Sequence, residues 1–377
     1  MEKQNKKVIY VGIDALKECL EMLYDQGYQI IHICTAPDDD YDRTVEIQKF
    51  AADHRIPLSL ERVTVEQMRD WEAQEADMLI VAGYPWKIPV SEKIRQLNIH
   101  PAYLPIGRGS WPMPVAIQKG ADSGVTLHKL SEQFDAGDIL LQEKIKIEQE
   151  DHLVTLLEKI KKVSVKLLSE YLSSPDEIWD HARAQGEGEY WEEPGDLERT
   201  FSLEDTVEKI STTLRAFYGY GSLCNLQGLP VEIVRGSVVN DNRDVDGKLC
   251  IPVKGRYLIC EEWRIPFRKI ELRDKERMEA IRRKYQPMLS DYTFSLLYCW
   301  QKELKLSLYI EEEFFVIRGE DYYFFPIGEP NRVKEFIEGK YEYQKADADS
   351  DYVLLNQTIC ELQGSRFAKR RCVLFML

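Results

Sequence analysis

Met78-Leu79-Ile80-Val81-Ala82, closed by Gly83, is the stretch that decides the fold class. Five successive apolar residues leave no polar face, so a strand built from them must be covered on both sides. Working outward, Val8-Ile9-Tyr10-Val11-Gly12 and the run from Gln29 to Cys34 read the same way. Helical spacing separates the runs: Leu16, Leu20 and Leu23 within Asp14 to Tyr24, then Val45 to Asp53 and Val65 to Trp71. Strands that alternate with helices predict an α/β fold whose mainly parallel sheet carries helices on both faces.

That sheet is Rossmann-like in kind, yet the nucleotide signatures are missing. The turn after the first strand, Val11-Gly12-Ile13-Asp14-Ala15, has a single glycine where a dinucleotide fingerprint requires several. No G-x-x-x-x-G-K-S/T loop occurs either, so NAD and ATP are poor candidates. At 377 residues the chain is long enough for two or three domains. A mean hydropathy of -0.40 and the lack of a bilayer-length apolar run argue against a transmembrane segment. The apolar run after Met1-Glu2-Lys3-Gln4-Asn5-Lys6-Lys7 is too brief for a signal-peptide core, so a cytoplasmic location is expected. The eight cysteines stand singly, which suggests neither a zinc site nor a disulfide framework. A net charge of -15 opposes binding to a phosphate backbone, and nucleic acid is disfavoured as a partner.

The chemistry is concentrated after the third apolar strand and an expected short helix, in Leu97-Asn98-Ile99-His100-Pro101-Ala102-Tyr103-Leu104-Pro105. Asn98 and His100 lie two apart, so on a strand they project from one face, and the prolines end that strand just beyond them. Ligands bind at the carboxyl ends of strands in open α/β sheets. Downstream follow Gly107-Arg108-Gly109, Gly124-Val125-Thr126-Leu127-His128 and Phe134-Asp135-Ala136-Gly137-Asp138. An amide that donates to a developing oxyanion, an imidazole that takes a proton and a carboxylate that orients the ring suffice for acyl transfer to an amine. No serine or cysteine nucleophile is required.

The run from Gly83 to Ile147 resembles the formyltransferases that use 10-formyltetrahydrofolate, a family that includes methionyl-tRNA, glycinamide ribonucleotide and sugar-nucleotide N-formyltransferases. Its N-x-H-P, leucine-proline, R-G, G-x-T and D-x-G steps occur here in order. The resemblance implies Asn98, His100 and Asp135 as the catalytic trio. It also implies a folate loop, with Gly83, Tyr84, Trp86, Ile88 and Pro89 holding the pterin largely through backbone, helped by Asp138. Arg108, Gly109 and His128 are expected on the acceptor side, although His128 also reads as a hydrogen-bonded core histidine. Trp86 and Trp111 read more readily as packing residues.

Ala184-Gln185 through Tyr190-Trp191 and Pro194-Gly195-Asp196 resemble the linker of the sugar and tRNA enzymes, and Leu214-Arg215-Ala216-Phe217 the start of their small second domain. A helix from about Thr206 to Phe217, begun by Ser202 with Asp205, and β segments from Pro230 to Trp263 make that a helix-plus-barrel domain. The acidic chain and Thr126-Leu127-His128 favour an amino-sugar nucleotide or other small amine over tRNA. A hydrolase that passes the formyl group to water would use the same trio, and a silent folate-binding fusion protein is the non-enzymatic alternative. Homodimerisation is left open.

Ser290-Asp291-Tyr292-Thr293-Phe294-Ser295, Trp300, Tyr322 to Gly328, Asp351-Tyr352-Val353 and Leu362 to Arg371 resemble the first half of the phosphatidylglycerol lysyltransferase C-terminal family, which is acetyltransferase-like. Half of such a fold leaves an unpaired edge, so no second activity is expected. The division expected is 1–190 for catalysis, 191–269 for the small domain and 270–377 for the partial acetyltransferase-like segment.

Overall fold

The runs from Val8 and Met78 become adjacent interior strands of a seven-stranded sheet. The computed structural model describes residues 6–38, 43–226, 229–240, 249–264, 266–285, 293–319, 324, 326–334 and 336. The chain divides into two units, Met1–Arg264 and Ile265–Leu377. In the first, β1 (Lys7–Gly12), β2 (Gln29–Cys34), β3 (Leu58–Ser59), β4 (Met78–Ala82), β5 (Arg95–His100), β7 (Ser123–Lys129) and β8 (Ile139–Ile145) form one sheet. Its order is β3-β2-β1-β4-β5-β7-β8. The pairs among β1 to β5 are parallel, whereas β7 is antiparallel to β5 and β8 antiparallel to β7.

Alternate residues of the apolar strands serve different faces. Val8, Tyr10, Met78 and Ile80 pack with Leu20 and Leu23 of α1 (Lys17–Asp25) and with Leu156, Ile160 and Leu168 of α5 (Leu153–Ser173). Ile9, Val11, Leu79 and Val81 pack on the opposite side with Met68 and Trp71 of α3 (Val65–Ala73). Burial on both faces is why these strands carry no polar alternation. Helix α2 (Val45–His54) follows β2, and α3 starts from a capping box between Thr64 and Gln67. Helix α4 (Pro112–Lys119) begins with proline and ends at Gly120, whose φ is +61°.

The short helix expected before Leu97 is absent: residues 83–94 run as an irregular loop. Pro85 and Pro89 remove backbone donors and bias their predecessors away from the helical region. The loop is held instead by Gln96, whose Nε2 donates to the Pro89 carbonyl at 2.8 Å and whose Oε1 accepts from Ser91 N at 2.7 Å.

Beyond α5, the short α6 (Pro175–Asp180) leads into an extended segment. Its strand β9 (Glu189–Tyr190) pairs in parallel with β6 (Ile106–Arg108). The next helix, α7 (Val207–Ala216), is capped by Thr206, whose side chain accepts from Lys209 N, and not by Ser202 as the spacing suggested. Ser202 and Asp205 instead close a turn of their own, Ser202 N donating to Asp205 Oδ2 at 2.8 Å. Strands β10 (Ser222–Leu226), β11 (Leu229–Val239), β12 (Leu249–Val253) and β13 (Arg256–Arg264) form an antiparallel sheet in the order β10-β11-β13-β12.

The second unit has its own core. Helices α8 (Lys275–Tyr285) and α9 (Phe294–Trp300) supply Met278, Ile281, Phe294 and Leu297. Leu308, Phe315, Ile317 and Ile327 add to it from β14 (Ser307–Glu311), β15 (Phe314–Arg318) and β16 (Ile327–Gly328), an antiparallel three-stranded sheet. Ser290 to Tyr292, Tyr322-Tyr323, Phe325 and everything from Asp351 onward in the acetyltransferase-like resemblance lie outside the described residues. No described helix is long and apolar enough to cross a membrane.

Candidate active site

Strand register brings the first two residues of the site into place. Asn98 stands between Val81 of β4 and His128 of β7, and His100 stands opposite Thr126. The turn after His100 is tied to that neighbour: Thr126 Oγ1 donates to the Ala102 carbonyl at 2.8 Å and accepts from Leu104 N at 3.1 Å. Gly124 is required two residues earlier, since a Cβ there would lie 2.6 Å from the Glu143 carbonyl. The G-x-T step is therefore a clamp on the strand end.

Asp135 reaches the same place from the loop between β7 and β8. Its Oδ1 accepts from Asn98 Nδ2 at 3.2 Å and lies 3.4 Å from His100 Nδ1. Its Oδ2 accepts from the backbone N–H of Gly109 at 3.0 Å. Asp135 itself holds φ +52°, a left-handed conformation uncommon outside glycine and frequent where geometry is imposed by function. Gly137 is obligatory in this loop, because a Cβ would come within 1.8 Å of the Lys129 carbonyl. That is the physical content of D-x-G.

A carbonyl only accepts, so the contacts fix the tautomers. His100 Nε2 donates to the Gly107 carbonyl at 2.8 Å, which leaves Nδ1 of the neutral ring bare beside Asp135. His128 Nδ1 donates to the Lys129 carbonyl at 2.8 Å, and its Nε2 accepts from Asn98 Nδ2 at 3.1 Å. Burial pulls the His100 imidazole below its ordinary range, against the raising influence of Asp135 and of the Gly107 carbonyl. Burial also opposes ionisation of Asp135, but the facing His100 and His128 rings and the Gly109 N–H outweigh it and hold the carboxyl below the usual carboxylate range. The resting site thus holds an ionised Asp135 beside a neutral imidazole with a free nitrogen. Four buried thiols are poor nucleophiles, since burial pushes Cys19, Cys34, Cys224 and Cys260 up to about 12.

Asn98, His100 and Asp135, the trio that the resemblance implied, are therefore brought together, with Gly109 on the carboxylate. His128, expected on the acceptor side, is 2% exposed and has both ring nitrogens engaged within the cluster. Arg108, expected there too, is engaged within the chain: its Nη2 donates to Gln185 Oε1 at 2.8 Å and to the Gly186 carbonyl at 3.3 Å. Asp138 takes part through its carbonyl, which accepts from Lys129 N at 2.9 Å. In the 83–89 loop, Tyr84 and Ile88 point into the core, and the Tyr84 hydroxyl donates to the Glu61 carbonyl at 3.0 Å. Gly83, with φ +78°, and Pro85 are exposed, so the loop offers backbone outward and anchors itself inward. Trp86 packs edge-on to Tyr84 and lies under the Arg62 guanidinium at 5.5 Å. Trp111 packs against Phe217 and Tyr220, as expected of a packing residue. Gln185 was not expected here; no local pattern marks it, since its contacts are 48 and 50 residues away in sequence.

Residues 13–172 match the formyl transferase family. This part of the chain is a formyl transferase domain. The methionyl-tRNA formyltransferase of Lactobacillus acidophilus is 28% identical over 279 residues, covering 67% of this chain and 85% of that protein. HypX from Aquifex aeolicus, solved in complex with tetrahydrofolic acid, superposes with a TM-score of 0.55 at 18% identity, over 70% of this chain and 44% of HypX. A 4-N formyltransferase from Francisella tularensis superposes with a TM-score of 0.51 at 19% identity, over 61% of this chain and 97% of that one. This chain thus spans less than half of HypX. Folate-dependent formyl transfer is the activity of the formyl transferase domain, with 10-formyltetrahydrofolate as donor.

Proposed function

We propose that Asn98, His100 and Asp135 carry formyl transfer from 10-formyltetrahydrofolate to a small primary amine, such as that of an amino-sugar nucleotide. The observation that carries the site is the meeting of an amide, a bare imidazole nitrogen and an ionised carboxylate within 3.4 Å. The amine attacks the formyl carbon while His100 Nδ1 takes its proton, and Asp135 stabilises the imidazolium so formed. Asn98 donates to the formyl oxygen as charge develops on it. Its amide hydrogens are held at 3.1 and 3.2 Å by His128 and Asp135, long contacts of the kind that yield or tighten when substrate arrives. The bond from the formyl carbon to the folate N10 then breaks, and His100 returns the proton to that nitrogen. The exposed backbone of the 83–89 loop supports its role in holding the pterin, with Tyr84 and Ile88 as anchors.

Charge supports a small acceptor. Arg199, Lys209, Arg235, Lys254 and Arg264, around the four-stranded sheet, are each paired with a carboxylate, which balances their charge locally and weakens the field that a phosphate backbone would meet. Likeness to methionyl-tRNA formyltransferases makes methionyl-tRNA the second reading. We retain the division into 1–190, 191–269 and 270–377, and assign no separate activity to the last part.

The test is incubation with 10-formyltetrahydrofolate and a panel of amino-sugar nucleotides, methionyl-tRNA or no acceptor, following tetrahydrofolate by absorbance. Release that requires a small amine supports the proposal. Release only with tRNA moves it to the second reading, and release with no acceptor makes the domain a hydrolase. Folate binding without release under any condition overturns catalysis.

A further inference from the structure

The segment 183–191, which sequence alone reads as a linker, is fastened at three successive places to the walls of the site. Arg183 and Ile139 exchange backbone hydrogen bonds at 2.8 and 2.7 Å, so the segment first pairs with the start of β8. Gln185 Nε2 then donates to the carbonyls of Asp135 at 2.9 Å and of Gly137 at 2.6 Å. Finally Glu189 N donates to the Pro105 carbonyl at 3.1 Å and Trp191 N to the Arg108 carbonyl at 2.7 Å. Between the last two fastenings, Gly188 lies so close that a Cβ would be 2.4 Å from the Pro105 carbonyl. The segment is a strap that joins the loop carrying Asp135 to the loop carrying Gly107 and Gly109.

Gln185 is the member of the strap whose side chain addresses the reacting groups. Both hydrogens of its amide go to carbonyls that flank one residue of the Asp135 loop, beside the left-handed φ. Its oxygen is taken by two donors of Arg108, Nε at 3.2 Å and Nη2 at 2.8 Å. An arginine only donates and a carbonyl only accepts, so the amide has one orientation. Resting on the assignment of Asn98, His100 and Asp135 to formyl transfer, we propose that Gln185 is a positioning residue: held by Arg108, its amide fixes where the Asp135 carboxylate stands against His100.

This assignment gives the R-G step a joint purpose. Arg108 orients the amide that holds the backbone of Asp135, and the N–H of Gly109 holds its carboxylate at 3.0 Å. Without the amide, the loop keeps its glycine at 137 but loses both carbonyl ties, and only the Gly109 N–H and the Asn98 amide are left to hold the carboxylate beside the imidazole. Displacement of a reacting group by about 1 Å is enough to cost on the order of a hundredfold in rate.

The experiment uses the full chain with Gln185→Met, which keeps the length and removes both donors, and Gln185→Glu, which keeps the acceptor for Arg108 and sets a carboxylate against two carbonyls. Steady-state kinetics on an active acceptor should show kcat reduced on the order of tenfold to a hundredfold in both variants. KM for the folate should change less than about threefold, because the loop that carries the pterin is not touched. The second readout needs no turnover: NMR titration of 15N-labelled histidine rings, with the His100 signal assigned from His100→Gln. Asp135 and His128 are the titratable groups beside that ring, and Asp135 raises its pKa, so loosening Asp135 should move the His100 midpoint to lower pH in Gln185→Met, whereas the negative charge added by Gln185→Glu opposes that movement and this variant is read by kcat. A strap that only holds the fold together would lower Tm and leave the His100 midpoint unmoved, and that result overturns the proposal even if one variant folds poorly. Because the titration is independent of acceptor and turnover, failure of formyl transfer and failure of the Gln185 assignment give separate results.

Discussion

Asn98 and His100 on one side of the site, and Asp135 on the other, reach the same few ångströms by different means. The two strand residues are placed by the ladder itself, since register between β4, β5 and β7 settles which face they share. Asp135 has no ladder. Its place depends on a left-handed backbone, a glycine at 137 with no room for a Cβ, the N–H of Gly109 and the amide of Gln185. A strand delivers functional side chains by repetition, whereas a loop needs a separate restraint for every degree of freedom.

The sharpest way to break the comparison is to remove the groups that both regions deliver. His100→Ala and Asp135→Asn should each lower kcat/KM by about 10³-fold, or about 4 kcal/mol of transition-state stabilisation, in the absorbance assay. Rates unchanged in both variants would remove the proposed mechanism. Next in size is the loop alone. Gly137→Ala forces the Asp135 loop off the Lys129 carbonyl and should cost about 10²-fold, while Asn98 and His100 stay in register. Retained activity would mean that the loop has slack that the geometry does not suggest.

A smaller effect is expected from the strand side. His128→Gln keeps an acceptor for Asn98 and should lower kcat about threefold, whereas His128→Leu strands the Asn98 amide and should lower it about tenfold. Equal rates for the two would show that the Asn98 contact is incidental.

The smallest signal is the pH dependence. The folded-state pKa of His100 is lowered, so its ring stays neutral as pH falls past about 6.5, and the acid limb of kcat/KM should lie below that value. For stability the sign is the same: the unfolded chain takes up the proton first, so stability declines as pH drops below about 6.5 towards the folded value. Asp135, held low, contributes stability above about pH 3.9 that disappears as pH falls through its folded value. Chemical denaturation midpoints measured from pH 7.5 down to about 2 would show both, and a rise in midpoint between pH 7 and 6 would contradict the His100 assignment.

Much of this was legible in the residues because the underlying signals are short-ranged. Continuous apolar runs at Val8 and Met78 announce strands buried on two faces, and the step of two between Asn98 and His100 puts them on one face whatever surrounds them. Where local patterns misled, the nearest competing local signal had won. Ser202 with Asp205 forms its own turn, so Thr206 starts the helix, and the prolines at 85 and 89 suppress a helix before β5. The functions of Thr126 and Gln185 were not visible in this way, since each is defined by a partner distant in sequence.

The chain by itself determined an α/β sheet, the strand that presents an amide and an imidazole together, and a formyl transferase signature, because side-chain periodicity and motif order are properties of neighbouring residues. Only the tertiary structure decided that His128 holds the Asn98 amide, that Arg108 turns to Gln185, and that a linker straps the Asp135 loop. Those outcomes depend on which donors and acceptors meet once residues 30 to 77 positions apart are packed against one another, and hydrogen-bond complementarity at that range leaves no trace in spacing.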